Sequence, residues 1–287
     1  MPQHQTIDIT CADNTVLAAT IFTPAITPKG AVLIAPATGI KRAFYFAFAE
    51  FLAEQGYIAL TFDNRGIGDS LEGHIKHCNA SLQQWGELDL TAALNYLQTH
   101  YPDFQYHLVG HSAGGQLIGL MPNADQLASV CNIACSSGRL RNMRFSYQLQ
   151  AHFFMNMFIP VSNAIFGYTQ SSWVGMGEPL PKRVARQWQQ WCNGSGYVKM
   201  AFGKTISKHY YDTLTVPSLW LNAIDDDIAN ERNLDDMLSV FTKLPAETRM
   251  LSPQQYGLTE IGHMKFFSRK AKVLWPMTLD WIEQHTL

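Results

Sequence analysis

Residues 108–116 read Leu108-Val109-Gly110-His111-Ser112-Ala113-Gly114-Gly115-Gln116, a G-x-S-x-G set directly between an apolar strand and a helix. A serine in that position stands on a strained strand-to-helix turn, where only glycine leaves room for neighbouring backbone. The helix that follows points its first backbone N–H groups at whatever the serine meets, so the N–H of Ala113 is placed to stabilise a developing oxyanion. The bare pattern is common, and its placement between strand and helix is what makes Ser112 a candidate nucleophile.

On both sides of this turn, short apolar runs alternate with longer helical patterns, the rhythm of an α/β fold with a largely parallel sheet. Upstream, runs at 6–11 and 15–22 predict a hairpin turning at Ala12-Asp13-Asn14, followed by strands at 30–35 and 57–62 and helices at 42–55 and 82–99. The strand at 106–109 leads into the turn, and another is expected near 128–134. Further on come a strand at 217–221, a helix at 231–241, a strand at 246–252 and a terminal helix at 265–284.

Between 139 and 212 the strands stop and a mostly helical pattern takes over. This segment holds 14 of the 34 aromatic residues, and nine Lys or Arg against two acidic residues, Glu178 and Asp212, a local +7 in a chain of net charge −2. The expected organisation is a core of 1–138 and 213–287 with a helical insertion at 139–212.

The chain of 287 residues is 47% hydrophobic and 15% charged, the composition of a globular protein with a sizeable core. Its charge balance lacks the overall basic excess that marks a polyelectrolyte partner, so no nucleic acid is expected. Five cysteines without a CxxC write neither a disulfide framework nor a zinc ribbon. His74 and His77 lie in a polar loop without ligand spacing, so neither metal nor cofactor is implied. The start of the chain lacks a secretory pattern, and the greasiest stretch, 151–166, is interrupted by Asn156, Pro160, Ser162 and Asn163. A soluble cytoplasmic protein is the expectation, with membrane contact disfavoured.

A serine hydroxyl needs a histidine to take its proton and a carboxylate to orient that histidine. Downstream, Asp225-Asp226-Asp227 follow the apolar strand ending near Leu221, and His263 lies in Ile261-Gly262-His263-Met264 ahead of the last helix. The other nine histidines are better read as surface or packing residues, His111 as packing at the turn. Three adjacent aspartates leave the acid ambiguous.

With these residues in order, the chain resembles the serine α/β-hydrolases, nearly end to end. Asp63-Asn64-Arg65-Gly66-Ile67-Gly68-Asp69-Ser70 is similar to the D-x-R-G-x-G-x-S loop of many such enzymes. Together with Ala35-Pro36-Ala37-Thr38-Gly39, Trp85 with Asp89, and Trp188 to Cys192, it resembles a bacterial subgroup of predicted α/β-hydrolases. The resemblance implies the α/β-hydrolase fold, favours Asp226 as the acid with Ala223 standing for the glycine of G-x-x-D, and makes 139–212 a cap. It also puts the second oxyanion donor on the N–H of Thr38, with Ala37 the neighbouring possibility, where many relatives carry His-Gly. Gly66 and Gly68 read as a tight loop rather than a nucleotide site.

The expected activity is hydrolysis of a small carboxylic ester or thioester through an acyl-enzyme on Ser112, with His263 as base and acid and Asp226 orienting it. Amide, peptide or carbon–carbon hydrolysis and acyl transfer would use the same three residues, and a ligand-binding protein on this fold is the alternative of another class. Aromatic and Met residues of the cap suit an apolar pocket or simple packing. Its basic residues, Arg183 and Arg186 first, suit solvated helix faces, an anionic substrate group or an anionic membrane surface.

Overall fold

A computed structural model describes residues 2–286 of the chain. Ten strands appear, β1 Gln3–Thr10, β2 Val16–Thr23, β3 Gly30–Ala35, β4 Tyr57–Phe62, β5 Tyr106–His111, β6 Leu127–Ile133, β7 Tyr168–Thr169, β8 Leu180–Pro181, β9 Ser218–Ala223 and β10 Ala246–Leu251. Eight of them form the central sheet in the order β1-β2-β4-β3-β5-β6-β9-β10. The β1/β2 and β2/β4 pairs are antiparallel and the remaining pairs parallel.

Strands β3, β4 and β5 are buried along their whole length. That is why they read as continuous apolar runs rather than alternating ones: both faces of a parallel sheet are covered by helices. Successive side chains of β3 enter opposite layers. Ala31, Leu33 and Ala35 join Trp85, Leu94 and Trp220, while Val32 and Ile34 join Phe48, Trp275 and Trp281. The helices are α1 Phe46–Glu54, α2 Leu82–Gln84, α3 Thr91–His100, α4 Ala113–Gln116, α5 Phe145–Phe153, α6 Ile159–Ile165, α7 Lys182–Cys192, α8 Glu231–Leu238 and α9 Trp275–Gln284. None of the described helices is long and apolar enough to cross a membrane.

Some boundaries differ from those read in the sequence. The stretch expected as one helix at 82–99 contains a π-helical turn at Trp85–Leu90 between α2 and α3. The terminal helix expected from 265 starts as α-helix only at Trp275, where Pro276, lacking an N–H, occupies the first turn. The segment 139–212 is mostly helical as expected, but β7 and β8 pair within it as a short antiparallel ribbon.

The D-x-R-G-x-G-x-S loop after β4 is a structural knot. Arg65 donates from its backbone N–H and from Nε to the two oxygens of the buried Asp89, at 2.9 and 2.6 Å, and its Nη1 meets Asp13 at 2.6 Å. Trp85 Nε1 donates to the Arg65 carbonyl at 3.1 Å, and Ser70 Oγ ties the Asp63 carbonyl to the Ala18 N–H. A buried pair broken on one side leaves an uncompensated charge. Arg65→Met should therefore cost about 3–5 kcal/mol in urea unfolding. Arg65→Met combined with Asp89→Leu should cost clearly less than the single change, and equal losses would contradict this account of the pair.

Candidate active site

Four connections at the C-terminal edge of the parallel sheet converge on one place, the edge where open α/β sheets leave a crevice. They are the loop after β3, the turn after β5, the loop after β9 and the segment beyond β10. The turn after β5 holds Ser112 at φ 47°, ψ −111°, a backbone conformation that a side chain-bearing residue adopts only under strain. The turn is held against β3 by contact: a Cβ on Gly114 would lie 2.1 Å from the Ala35 carbonyl oxygen. Glycine at 114 thus lets α4 begin beside the loop that carries Thr38.

His263 Nε2 lies 3.0 Å from Ser112 Oγ, and His263 Nδ1 lies 2.8 Å from Asp226 Oδ2. With Asp226 ionised, Nδ1–H donates to the carboxylate and Nε2 accepts from the serine hydroxyl. The other carboxylate oxygen, Oδ1, accepts the backbone N–H groups of Ile228 and Ala229 at 2.8 and 2.9 Å. Burial alone would raise the Asp226 pKa, but the His263 charge and bond and these two N–H donors outweigh it and lower it. For His263 burial favours the neutral ring, and the Asp226 charge and hydrogen bond reverse this, raising the pKa above 6.5.

The three adjacent aspartates divide the work. Asp226 meets His263. Asp225 accepts the N–H groups of Ile261 and Gly262 at 3.0 and 3.1 Å, which fixes the loop carrying His263. There Gly262 has φ 50°, a left-handed turn that brings its N–H onto the carboxylate. Asp227 turns outward to Arg144, 3.4 Å away.

The backbone N–H groups of Thr38 and Ala113 meet no acceptor among the described residues. Ala37, the neighbouring possibility for a donor, is already committed, because its N–H donates to Tyr45 Oη at 2.9 Å. Having accepted there, Tyr45 Oη donates to His111 Nδ1 at 2.8 Å, and His111 Nε2–H donates to the His263 carbonyl at 2.9 Å. His111 is therefore more than packing: it links the loop after β3 to the main chain of His263. Burial, and then the neighbouring His263, push its pKa down to about 3, so the ring stays neutral. The need of a buried strand-end histidine for two polar partners was the available signal.

Above Ser112 lies a cavity of about 500 Å³ whose walls include Met143, Tyr147, Phe154, Met176 and Trp188 from 139–212, with Thr38, Ser112 and His263 at its floor. The lining contains no Asp, Glu, Lys or Arg among the described residues. Arg183 and Arg186 are exposed on α7 and do not line it, and Arg183 Nη1 instead donates to the Asn79 carbonyl at 3.2 Å.

The profile of a family described as serine aminopeptidase, S33, matches residues 26–172, which include Thr38 and Ser112 but not Asp226 or His263. No curated protein sequence matches the chain. Among solved structures, an esterase of Pyrococcus furiosus is similar at 15% identity and TM-score 0.64, over 98% of this chain and 90% of that one. A monoglyceride lipase of Saccharomyces cerevisiae, solved as a soluble variant with a substrate analogue, is similar at 15% identity and TM-score 0.67, over 100% and 96%. A carboxyl esterase of Bacillus coagulans is similar at 15% identity and TM-score 0.64, over 99% of both chains. At such identities these likenesses speak for the fold, and with a family match over half its length the chain belongs to the S33 serine aminopeptidase family of α/β-hydrolases.

Proposed function

We propose that this protein is a serine hydrolase that cleaves a small, uncharged carboxylic ester or thioester. The observation that carries the reading is the hydrogen-bonded line from Ser112 Oγ through His263 to the buried Asp226, opening into an apolar cavity. In this reading Ser112 Oγ attacks the acyl carbonyl as His263 Nε2 takes its proton. Asp226 holds the ring and stabilises the imidazolium. The oxyanion is received by the N–H groups of Thr38 and Ala113, the former preferred over Ala37 because the Ala37 N–H is occupied by Tyr45. His263 then protonates the leaving alcohol or thiol, and water, deprotonated by the same ring, releases the acid.

The segment 139–212 acts as a cap in this account, supplying most of the cavity wall. An aminopeptidase would need a carboxylate in the pocket to pair with the substrate's terminal ammonium, and the lining offers none, which favours an ester. The absence of Lys and Arg from the same walls also disfavours steering of an anionic substrate by Arg183 and Arg186. The esterases and the lipase among the structural neighbours accord with this choice.

Each methylene buried in the pocket contributes about 0.8 kcal/mol, so kcat/KM for p-nitrophenyl esters should rise about fourfold per methylene from acetate through butyrate, until the cavity is filled. Ser112→Ala should abolish turnover in the same assay. Saturable ester binding without turnover, unchanged by Ser112→Ala, would replace this reading with that of a binding protein.

The base must be neutral to accept a proton, so kcat/KM should rise with pH through a His263 pKa above 6.5 and be lost below it. Histidine NMR should show that same midpoint for His263, with His111 remaining neutral from about pH 5 to about pH 9. A His111 that titrates within this range, or a His263 midpoint under 6.5, would contradict the network.

A further inference from the structure

Residues 145–177 contain no Asp, Glu, Lys or Arg, although much of this stretch lies at the surface. Within it, α5, a π-helical turn at Phe154–Phe158 and α6 follow one another without leaving helical geometry, as a rod from 145 to 165. Phe154, Met155, Ile159, Ser162 and Asn163 face inward. Outward, at every fourth position, stand Phe145, Leu149, Phe153, Met157, Val161 and Ile165, each between 53% and 76% exposed.

At about 3.6 residues per turn, a spacing of four would carry such a row steadily around the rod. The wider π-turn in the middle winds it back, so the row stays closer to one face. Pro160, which has no N–H for the Asn156 carbonyl, sits just beyond that turn. Trp173, 65% exposed, lies near the far end of the row with its ring 5.4 Å from that of Phe166.

The row runs into the mouth of the cavity: Phe153 and Val174 are both exposed and both line it. At one end of the rod stand the exposed Arg141 and Arg144, the latter paired with Asp227, and α7, which packs against α6, carries the exposed Lys182, Arg186 and Arg183, the last bonded to the Asn79 carbonyl. We propose that this row seats the cavity mouth on an anionic phospholipid surface, with the apolar side chains entering the acyl boundary and the flanking basic residues meeting the headgroups.

The charge argues for lipid over a second copy of the chain, because the segment 139–212 carries a net +7 and two copies face to face would bring like charges together. A second copy would also close the mouth that a lipid surface leaves fed with apolar substrate. The sequence disfavours membrane contact because its greasiest stretch is too interrupted to span a bilayer and solvated helix faces account for the basic residues, but a helix lying in the interface is not bound by spanning length.

Flotation with vesicles of phosphatidylcholine mixed with phosphatidylglycerol tests the proposal. It is performed on Ser112→Ala protein as well as wild type, so that a failure of the hydrolase reading leaves the binding result standing. Both proteins should float with the mixed vesicles, more weakly with phosphatidylcholine alone, and at least tenfold less after the combined Met157→Glu, Val161→Glu and Ile165→Glu change. That variant should keep its melting temperature and its turnover of p-nitrophenyl acetate. Should it fail to fold, Phe145→Ser with Leu149→Ser replaces it, with the same expected loss. Wild type that does not float, or a folded variant that floats equally well, overturns the proposal. Concentration-dependent dimers dissolved by the same changes, without flotation, would overturn it in favour of a second copy.

Discussion

The backbone at Ser112 can hold its strained φ and ψ only because the turn is clamped on both sides. Before it, β5 is paired with β3 and β6, and the Ser112 N–H itself donates to the Ile133 carbonyl at 3.0 Å. After it, α4 presses Gly114 so close to the Ala35 carbonyl that a methyl group there would overlap the oxygen. This one approach has three consequences. It lifts the Ser112 hydroxyl out of the sheet, starts α4 with the free Ala113 N–H, and sets that N–H beside the loop carrying Thr38. The rest of the site is arranged around this fixed point, the loops after β9 and β10 bringing Asp226 and His263 to a serine that cannot move.

Those loops are stiffened by a division of labour among neighbouring polar groups. Asp225 holds the His263 loop through two main-chain N–H groups, Asp226 holds the ring, and His111 holds the His263 carbonyl from below. Each contact is directional and partly shielded from water, so an unmade hydrogen bond there costs more than a made one contributes. The positions of Ser112 and His263 are thus set by several weak restraints that agree.

The α/β rhythm and the turn at Gly110–Gly114 were legible because they depend on local chemistry: apolar runs buried on both faces, glycine where backbones touch, a helix begun at a serine. Ser112 and His263 were legible for the same reason, each being the reactive type of residue on a glycine-marked connection. The choice among Asp225, Asp226 and Asp227 was not fixed by spacing alone, since three adjacent carboxylates differ only in where the chain turns, and the structure gives each a separate partner. The role of His111 was hidden because its partners, Tyr45 and the His263 carbonyl, are distant in sequence. The π-turns at 85–90 and 154–158 were hidden as well, being adjustments of helix winding that leave hydrophobic spacing almost unchanged. The six-residue row on the rod could be found only once its inward and outward faces were known, because both are apolar.

The central claim is that Ser112 is chemically activated by His263 and Asp226. Intact mass spectrometry after treatment with a fluorophosphonate tests it most directly, since the reagent bonds covalently to an activated serine oxygen and ignores ordinary hydroxyls. The account predicts a single adduct on the wild type and none on Ser112→Ala. A folded wild type that remains unmodified, or an adduct that persists in Ser112→Ala, would contradict it.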